Sequence, residues 1–288
     1  MSPGWLARNW IALSCAAAVV LYIAATLLAP YSHIGVYSFW EKEMYAFEPA
    51  LSLDNYARAL TNDLYRKAVM NSGIVALSVT LTTALLGYLL AYYLAFHATR
   101  WRTLLFFLLI VPLWTSFLLR AYIWKIILGR NGIINSWMMD LGLLDEPLSF
   151  LLYSKGSITL ALVYIFLPFV ALPVYAALEK IPRSYIEAST DLGAPSASTF
   201  RHVILPLSMP ALTAGCTIVF CLSFGDFITP ALLGGTGDLM IASVIISQFG
   251  SAYDWPFGSA LAMLVLFVVL ALVFVLRRLG RAASGGVE

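Results

Sequence analysis

The chain has 288 residues, of which 61% are hydrophobic and only 11% are charged, and its net charge is +2. A soluble domain carries about 25% charged residues, so this composition excludes a soluble globular protein and indicates a polytopic membrane protein. The small net charge and the lack of a basic tract exclude a nucleic-acid-binding surface. The three histidines and three cysteines lack the spacing of metal ligands, so we expect no metal site.

Six apolar runs have about the length that a membrane-spanning helix needs, which is roughly 20 residues. They are residues 11–30, 68–96, 103–123, 156–178, 203–224 and 259–276. The first run follows Arg8 and also resembles a secretory signal. Its apolar section exceeds the roughly 7–15 residues of a signal core, so we predict an uncleaved first span.

The first half of the chain has two polar segments between spans. Residues 31–67 form a mixed loop in which Asp54 begins a predicted amphipathic surface helix. In the third span, Pro112 predicts a kink, and Arg120 lies near the far end. An arginine deep in lipid costs on the order of 2.5–3.5 kcal/mol, so Arg120 either snorkels to the headgroups or faces the protein interior and pairs with an acid. Residues 124–155 are predicted to be a loop.

The second half of the chain is richer in proline. Pro168 and Pro173 in the fourth span indicate a bent helix, which is either a static kink or a hinge. After the fifth span, residues 225–258 contain no Lys, Arg or His. The apolar section of this segment, residues 239–249, is too short to span a membrane and predicts an interfacial or re-entrant helix.

The longest polar interruption of the second half reads IPRSYIEASTDLGAPSASTFRHVILPLSMP and separates the fourth and fifth spans. Residues 183–192 favour a short amphipathic helix, which Gly193 would end as a C-terminal cap and Pro195 would stop. Ser196 or Ser198 would cap a second short helix leading into the fifth span. We therefore predict a helix–turn–helix on a membrane surface.

Basic residues in short loops set the orientation, because Lys and Arg are enriched on the cytoplasmic side. One side of the predicted topology carries Arg8, Arg100, Arg102, Lys180, Arg183, Arg201, Arg277, Arg278 and Arg281. The other side includes residues 225–258, which have no basic residue. We therefore predict that both termini and the loop between spans four and five are cytoplasmic.

This loop resembles the EAA motif of ABC-importer permease subunits. The motif reads Glu-Ala-Ala, three residues, Gly, nine residues, Ile, one residue and Leu-Pro. The chain keeps every spacing with Glu187-Ala188-Ser189, Gly193 and Val203-Ile204-Leu205-Pro206. Ser189 replaces the second Ala and Val203 replaces Ile. An interfacial helix that only joins two spans is the alternative interpretation.

The resemblance extends along the chain to the spermidine/putrescine branch of these permeases, and to the first of its two paired permeases. It rests on the stretches SLDNY, VPLWTSFLLRAYIW, FLPFVALPVYAAL, DLGAPSASTF, LPLSMPAL and GDFITPALLGG. It implies an all-α membrane protein of about six transmembrane helices with the ABC type I importer permease fold, in the bacterial inner membrane. The implied domains are an N-terminal span and periplasmic loop at 1–67, a permease core at 68–279 with a cytoplasmic coupling loop at 179–202, and a cytoplasmic tail at 280–288.

The resemblance also implies partners. They are a second homologous permease, two copies of an ATPase subunit that carries ATP and Mg, a periplasmic substrate-binding protein and membrane lipid. No P-loop or nucleophile–base pattern is visible in the sequence, so we expect no catalytic site and no cofactor on this chain. Loops 31–67 and 225–258 would meet the binding protein.

Two sets of residues follow from the resemblance as candidate sites. The expected ATPase-coupling residues are Ile186, Glu187, Ala188, Ser189, Leu192, Gly193 and Pro206. Polyamines are cations, so their pathway should present acids or aromatic faces. The candidates for it are Trp114, Arg120, Tyr122, Phe224 and Asp226. The alternatives are interfacial packing for the aromatic residues, and a helix-terminal turn or a pairing with Arg120 for Asp226.

A stand-alone transporter driven by an ion gradient is the second function class. That class predicts inverted repeats, broken helices in both halves and acids inside the membrane. The sequence has no clear repeat, and the interiors of its predicted spans lack Asp and Glu. An importer permease is therefore the favoured interpretation.

Overall fold

The computed structural model describes residues 10–43, 46–148 and 150–284, and it is built almost entirely of helices. The α-helices are α1 (Trp10–Ile23), α2 (Ala29–Tyr37), α3 (Asp54–Thr61), α4 (Asp63–Phe96), α5 (Arg102–Ile110), α6 (Phe117–Leu128), α7 (Ile133–Asp140), α8 (Lys155–Glu179), α9 (Arg183–Asp191), α10 (Ser196–Thr199), α11 (Leu205–Phe224), α12 (Ile228–Leu233), α13 (Ile241–Phe249) and α14 (Trp255–Ser284). Short π-helical segments, Ala24–Leu28 and Phe200–Ile204, join α1 to α2 and α10 to α11. A 3₁₀ turn, Val111–Trp114, follows α5.

Five helical stretches in the described part of the chain are long and apolar enough to cross a membrane. They are Ser14–Tyr37, Asp63–Phe96, Lys155–Glu179, Ser196–Phe224 and Trp255–Val275. Each contains most of one predicted span, so the prediction of a multi-pass helical membrane protein is confirmed. Pro168 and Pro173 lie inside α8 without interrupting it.

The predicted third span is wrong as a single kinked helix. Arg102–Trp114 and Phe117–Asp140 form a broken pair with a bend of 104°. The break falls at Thr115 and Ser116, whose ψ angles of 152° and 138° are extended. Pro112 is part of the 3₁₀ turn just before them. Two consecutive extended residues redirect the chain far more than one proline in a continuous helix does.

Two predicted loops contain structure that the composition did not reveal. In the segment at 124–155, α6 continues to Leu128 and α7 follows after a short turn. In the segment at 31–67, strands β1 (Glu41–Glu43) and β2 (Ala46–Glu48) pair antiparallel, with Glu41 opposite Glu48. The surface helix expected at Asp54 is present as α3.

The core of the larger unit, Asp63–Val244 with Val268–Glu288, is a bundle of α4, α8 and α11. Lipid gives no hydrophobic driving force between helices, so close backbone packing by small residues has to hold them together. Gly215 on α11 shows this, because a Cβ there would lie 2.9 Å from the carbonyl oxygen of Phe169 and 3.0 Å from Cα of Val170. Ala91 of α4 and Ala161 of α8 are fully buried in the same core.

The smaller unit consists of residues up to Asn62 together with Ile245–Phe267. Within it, Lys42 donates a hydrogen bond of 2.8 Å from Nζ to the carbonyl of Ala252. Phe47 packs on Tyr253 and Trp255, with ring centroids 5.5 Å and 6.2 Å apart. The two strands therefore rest on residues 252–255, at the start of α14.

Candidate functional site

The segment between α8 and α11 forms a short helix with a locally fixed end. Just after α9, Gly193 adopts φ = +78°, a conformation that residues with a side chain rarely take. Gly193 N–H donates to the carbonyl of Thr190 over 2.8 Å, and Ala194 N–H donates to that of Ser189 over 3.1 Å. These two bonds form a Schellman motif, which confirms the predicted helix and its C-terminal glycine.

The start of α10 differs from the predicted one. Pro195, not Ser196 or Ser198, occupies the N-cap position of α10, and no side chain caps that helix. Ser189 instead forms a hydrogen bond of 2.9 Å between its hydroxyl and that of Thr199. This bond ties α9 to α10 across the turn. Thr199 could not be identified from the sequence, because its pairing with Ser189 depends on how the turn folds back.

The candidate coupling residues divide between an exposed and an inward face. Leu192 is 87% exposed, and Glu187, Ala188 and Gly193 are also exposed. Ile186 packs against the hydrophobic core of its unit, and Ser189 and Pro206 are half-buried. The helix is therefore anchored through Ile186 and free on its other side.

The free side of α9 borders a shallow groove. It is lined by Tyr185, Ala188, Ser189, Leu192, His202, Val203, Pro206 and Leu207. Single exposed apolar side chains are ordinary, but a contiguous groove lined mainly by apolar side chains is typical of an interaction site. Ala188 and Ser189 of the EAA-like motif thus line the same groove as Val203 and Pro206, although more than ten residues separate the two pairs.

The pathway candidate Arg120 faces the interior of its unit and is only 8% exposed. Its guanidinium lies 5.8 Å from the ring centroid of Phe117, and Nη1 is 3.5 Å from the carbonyl oxygen of Ile165. Within the described residues, Nε has no hydrogen-bond partner and no carboxylate forms an ion pair with Arg120. Arg120 and Asp226 are therefore not paired in this structure.

Asp226 is also buried, with 7% exposure, and it caps α12. Its Oδ1 accepts a hydrogen bond of 3.1 Å from Ile228 N–H, and Oδ2 accepts one of 3.2 Å from Thr229 N–H. Burial raises the pKa of this carboxyl, while the donated hydrogen bonds act in the opposite direction. The arrangement is the helix-terminal turn that was the alternative interpretation of Asp226.

The three aromatic pathway candidates occupy different environments. Phe224 is 1% exposed and packs against Phe220 with a centroid separation of 5.8 Å. Trp114 and Tyr122 are exposed, at 75% and 51%. Trp114 contacts Phe107 edge to face at 5.9 Å. Of the five pathway candidates, Arg120, Phe224 and Asp226 are therefore buried, and Trp114 and Tyr122 are exposed.

Comparison with known proteins supplies the family. Residues 83–283 match the family described as binding-protein-dependent transport system inner membrane component. The spermidine/putrescine transport system permease protein PotB of Salmonella typhimurium is 40% identical over 80% of this chain and 79% of that protein. PotB of Escherichia coli K12 is 39% identical over 82% of this chain and 86% of its own length, and the E. coli permease YdcU is 36% identical over 85% and 81%.

Solved structures share the fold. A chain of a bacterial ABC transporter involved in the import of the acidic polysaccharide alginate superposes with a TM-score of 0.78 at 16% identity, covering 96% of this chain and 97% of that one. A chain of the MetNI methionine ABC transporter superposes with a TM-score of 0.55 at 18% identity, covering 77% and 99%. The family match spans most of the chain, and the relatives cover four fifths of it. The chain therefore belongs to the family of binding-protein-dependent transport system inner membrane components.

Proposed function

We propose that this chain is a permease subunit of an ATP-driven importer in a bacterial inner membrane and that α9 couples it to a separate ATPase subunit. The observation that carries the proposal is the geometry of α9. The helix is short, its end is fixed by the glycine at residue 193, and its free side exposes Tyr185 and Leu192 together with the charged Glu187. A lever that transmits motion between subunits needs this combination of a rigid body and a free contact surface.

In the proposed mechanism the ATPase pair has open and closed states, and ATP binding favours the closed one. Each ATPase copy holds one coupling helix, one from this chain and one from a homologous second permease. Closure of the ATPases then moves the permeases and opens the pathway outward. Leu192 provides apolar seating in this scheme and Glu187 a charged contact, while Ile186 connects α9 to the chain's own core.

A polyamine is the proposed solute. The support comes from the relatives, since those that share 39–40% identity are named as spermidine/putrescine permeases. Asp226 and Phe224 are the acid and the aromatic residue at the junction of α11 and α12 that would face such a cation when the pathway opens. In this conformation both are buried, so their role requires the conformational change that coupling produces.

A periplasmic binding protein is the proposed donor of the solute, and the β-hairpin is a candidate contact for it. Alternation along the strands places Lys42 and Phe47 on one face and Glu41, Glu43 and Glu48 on the other. The first face rests on residues 252–255, and the acidic face is exposed. Opposed like charges such as Glu41 and Glu48 destabilise a hairpin, and a basic partner surface would relieve the repulsion.

Purification of the tagged chain, expressed with the genes that neighbour its own, tests this function. We expect an ATPase and a second permease to co-elute in mild detergent, and we expect the complex in proteoliposomes to import radiolabelled spermidine with ATP. A chain that elutes alone and transports without ATP would overturn the proposal in favour of an ion-gradient-driven transporter. An assembled complex that does not import spermidine but imports another solute would contradict only the proposed substrate and not the proposed function.

A further inference from the structure

Both ends of the α9–α10 segment are held by the corner where α4 ends and α5 begins. The segment leaves α8 at Glu179 and enters α11 at Leu205. Contacts from α5 reach the first of these ends, and contacts from α4 reach the second. Neither set follows from the EAA-like motif, which lies between them.

At the first end, Arg102 binds two side chains of the last turns of α8. Its Nε donates to the hydroxyl of Tyr175 over 2.9 Å, and Nη2 donates to the same hydroxyl and to Oε1 of Glu179. Tyr175 and Glu179 lie on one face of α8, because they are four residues apart. Phe106 packs on the Tyr175 ring at 5.5 Å. The planar guanidinium thus fixes the position of the C-terminal end of α8, from which the chain continues into α9.

At the second end, Phe200 lies between two tyrosines of α4. Its ring meets those of Tyr88 and Tyr92 edge to face, with centroids 5.9 Å and 5.7 Å away. The hydroxyl of Tyr88 forms a hydrogen bond of 2.9 Å with that of Ser208, which is fully buried in α11. Phe200 also begins the π-helical segment, a geometry that often occurs at functional sites.

We propose that Arg102, Tyr88 and Tyr92 are positioning residues for coupling. They hold both ends of the α9–α10 segment against the corner between α4 and α5. Without them, closure of the ATPase would flex the loop instead of moving α8 and α11. This inference rests on the proposed function, because it assigns a role in the same coupling step. It adds three residues to which the sequence assigns no such role, a basic residue of a short loop and two tyrosines within the apolar run at 68–96.

The test separates coupling from folding by measuring ATP hydrolysis and radiolabelled spermidine uptake in the same proteoliposomes. Coupling between sites is typically worth 5- to 150-fold, so Arg102→Glu should raise the ATP hydrolysed per spermidine imported by about tenfold. The charge swap, Arg102→Glu with Glu179→Arg, should restore much of the ratio. Arg100→Glu is the matched control, since it makes the same charge change at an exposed residue two positions earlier. Equal ratios for the two single variants would overturn the proposal.

A second measurement does not depend on the solute. Spin labels at Ser184 of α9 and Leu81 of α4, both exposed, report the position of α9 relative to α4 in the assembled complex. We expect the distance distribution to broaden in Arg102→Glu and to narrow again in the charge swap. If Arg102→Glu does not assemble, Tyr88→Phe replaces it, because this change removes the bond to Ser208 and keeps the ring against Phe200. An unchanged distribution in these variants would contradict the proposal.

The outcomes distinguish this inference from the proposed function. A complex that contains no ATPase at all would reject the proposed function. A complex in which Gly193→Val abolishes coupling while the Arg102 and Tyr88 variants behave as the wild type would reject only the positioning role.

Discussion

Two short helices, α9 and α12, follow long spanning helices but are stabilised in opposite ways. In α9 no residue is buried, and its end is fixed by backbone hydrogen bonds around Gly193. In α12, Thr229, Pro230 and Leu233 are buried, and the buried carboxylate of Asp226 caps the start. A helix held by local bonds can present its outer face to a partner, whereas a helix held by its surroundings is part of the fold. Changes in α9 should therefore affect function, and changes in α12 should affect stability as well.

The largest effect is expected from Gly193→Val. A β-branched side chain at φ = +78° costs of order 1–3 kcal/mol and would unwind the end of α9. We expect the protein to remain in the membrane, with uptake abolished and ATP hydrolysis uncoupled from it. Gly142 is a matched control, because its φ is +69° and its Cβ position is equally open. Loss of uptake in both variants would point to general strain rather than to coupling.

Glu187→Lys should come next, because it reverses a charge on the exposed side of α9 without disturbing its backbone. We expect uptake to be abolished while the chain stays in the membrane, as measured by solute uptake and by ATP hydrolysis in proteoliposomes. Asp140→Lys is the matched control, because it makes the same charge change at an exposed residue of α7, outside the α9–α10 segment, and should leave uptake unchanged. Normal transport in Glu187→Lys would contradict the proposal that Glu187 makes a charged contact with the ATPase.

Two substitutions of Asp226, which caps α12, should separate an effect on stability from an effect on transport. Asp226→Ala removes the cap and leaves the buried N–H of Thr229 and the partly buried N–H of Ile228 without this acceptor, which should destabilise the protein by about 1–3 kcal/mol. Asp226→Asn keeps an acceptor oxygen, so we expect assembly to be intact and transport to fall because the charge is lost. Thermal unfolding and uptake kinetics measure the two effects. Unchanged uptake in Asp226→Asn would count against a place in the solute pathway.

The smallest expected effect is a dependence of stability on pH. Burial raises the pKa of Asp226 above that of an exposed carboxyl, so the folded state binds the proton more tightly than the unfolded state. The contribution of this group to stability should then decrease as the pH rises above the unfolded pKa of about 3.9. As the pH rises above that value, the wild type should lose more thermal stability than Asp226→Asn. Parallel curves for the two proteins would contradict this assignment.

The sequence predicted best those features that depend on neighbours along the chain. The end of α9 could be read from Gly193 and Pro195, because a left-handed glycine and a following proline act locally. The spans could be read from continuous apolar runs in the same way. The break before α6 could not, since Pro112 predicts a kink but not two extended residues at 115 and 116.

Features that depend on distant segments were beyond the sequence. The burial of Arg120 depends on Ile165 of α8, which lies 45 positions later. The hydrogen bonds from Arg102 to Tyr175 and Glu179 join residues more than 70 positions apart. In both cases the sequence marks the charge but not the partner.

Cross-linking at Leu192 tests the central claim most directly. In a background without Cys15, Cys216 and Cys221, Leu192→Cys would be compared with Leu141→Cys, at residues that are 87% and 70% exposed. We predict that the purified complex forms a cross-link between residue 192 and the ATPase subunit, and none at residue 141. Failure to cross-link at residue 192, or equal cross-linking at both positions, would contradict the assignment of α9 as the coupling helix.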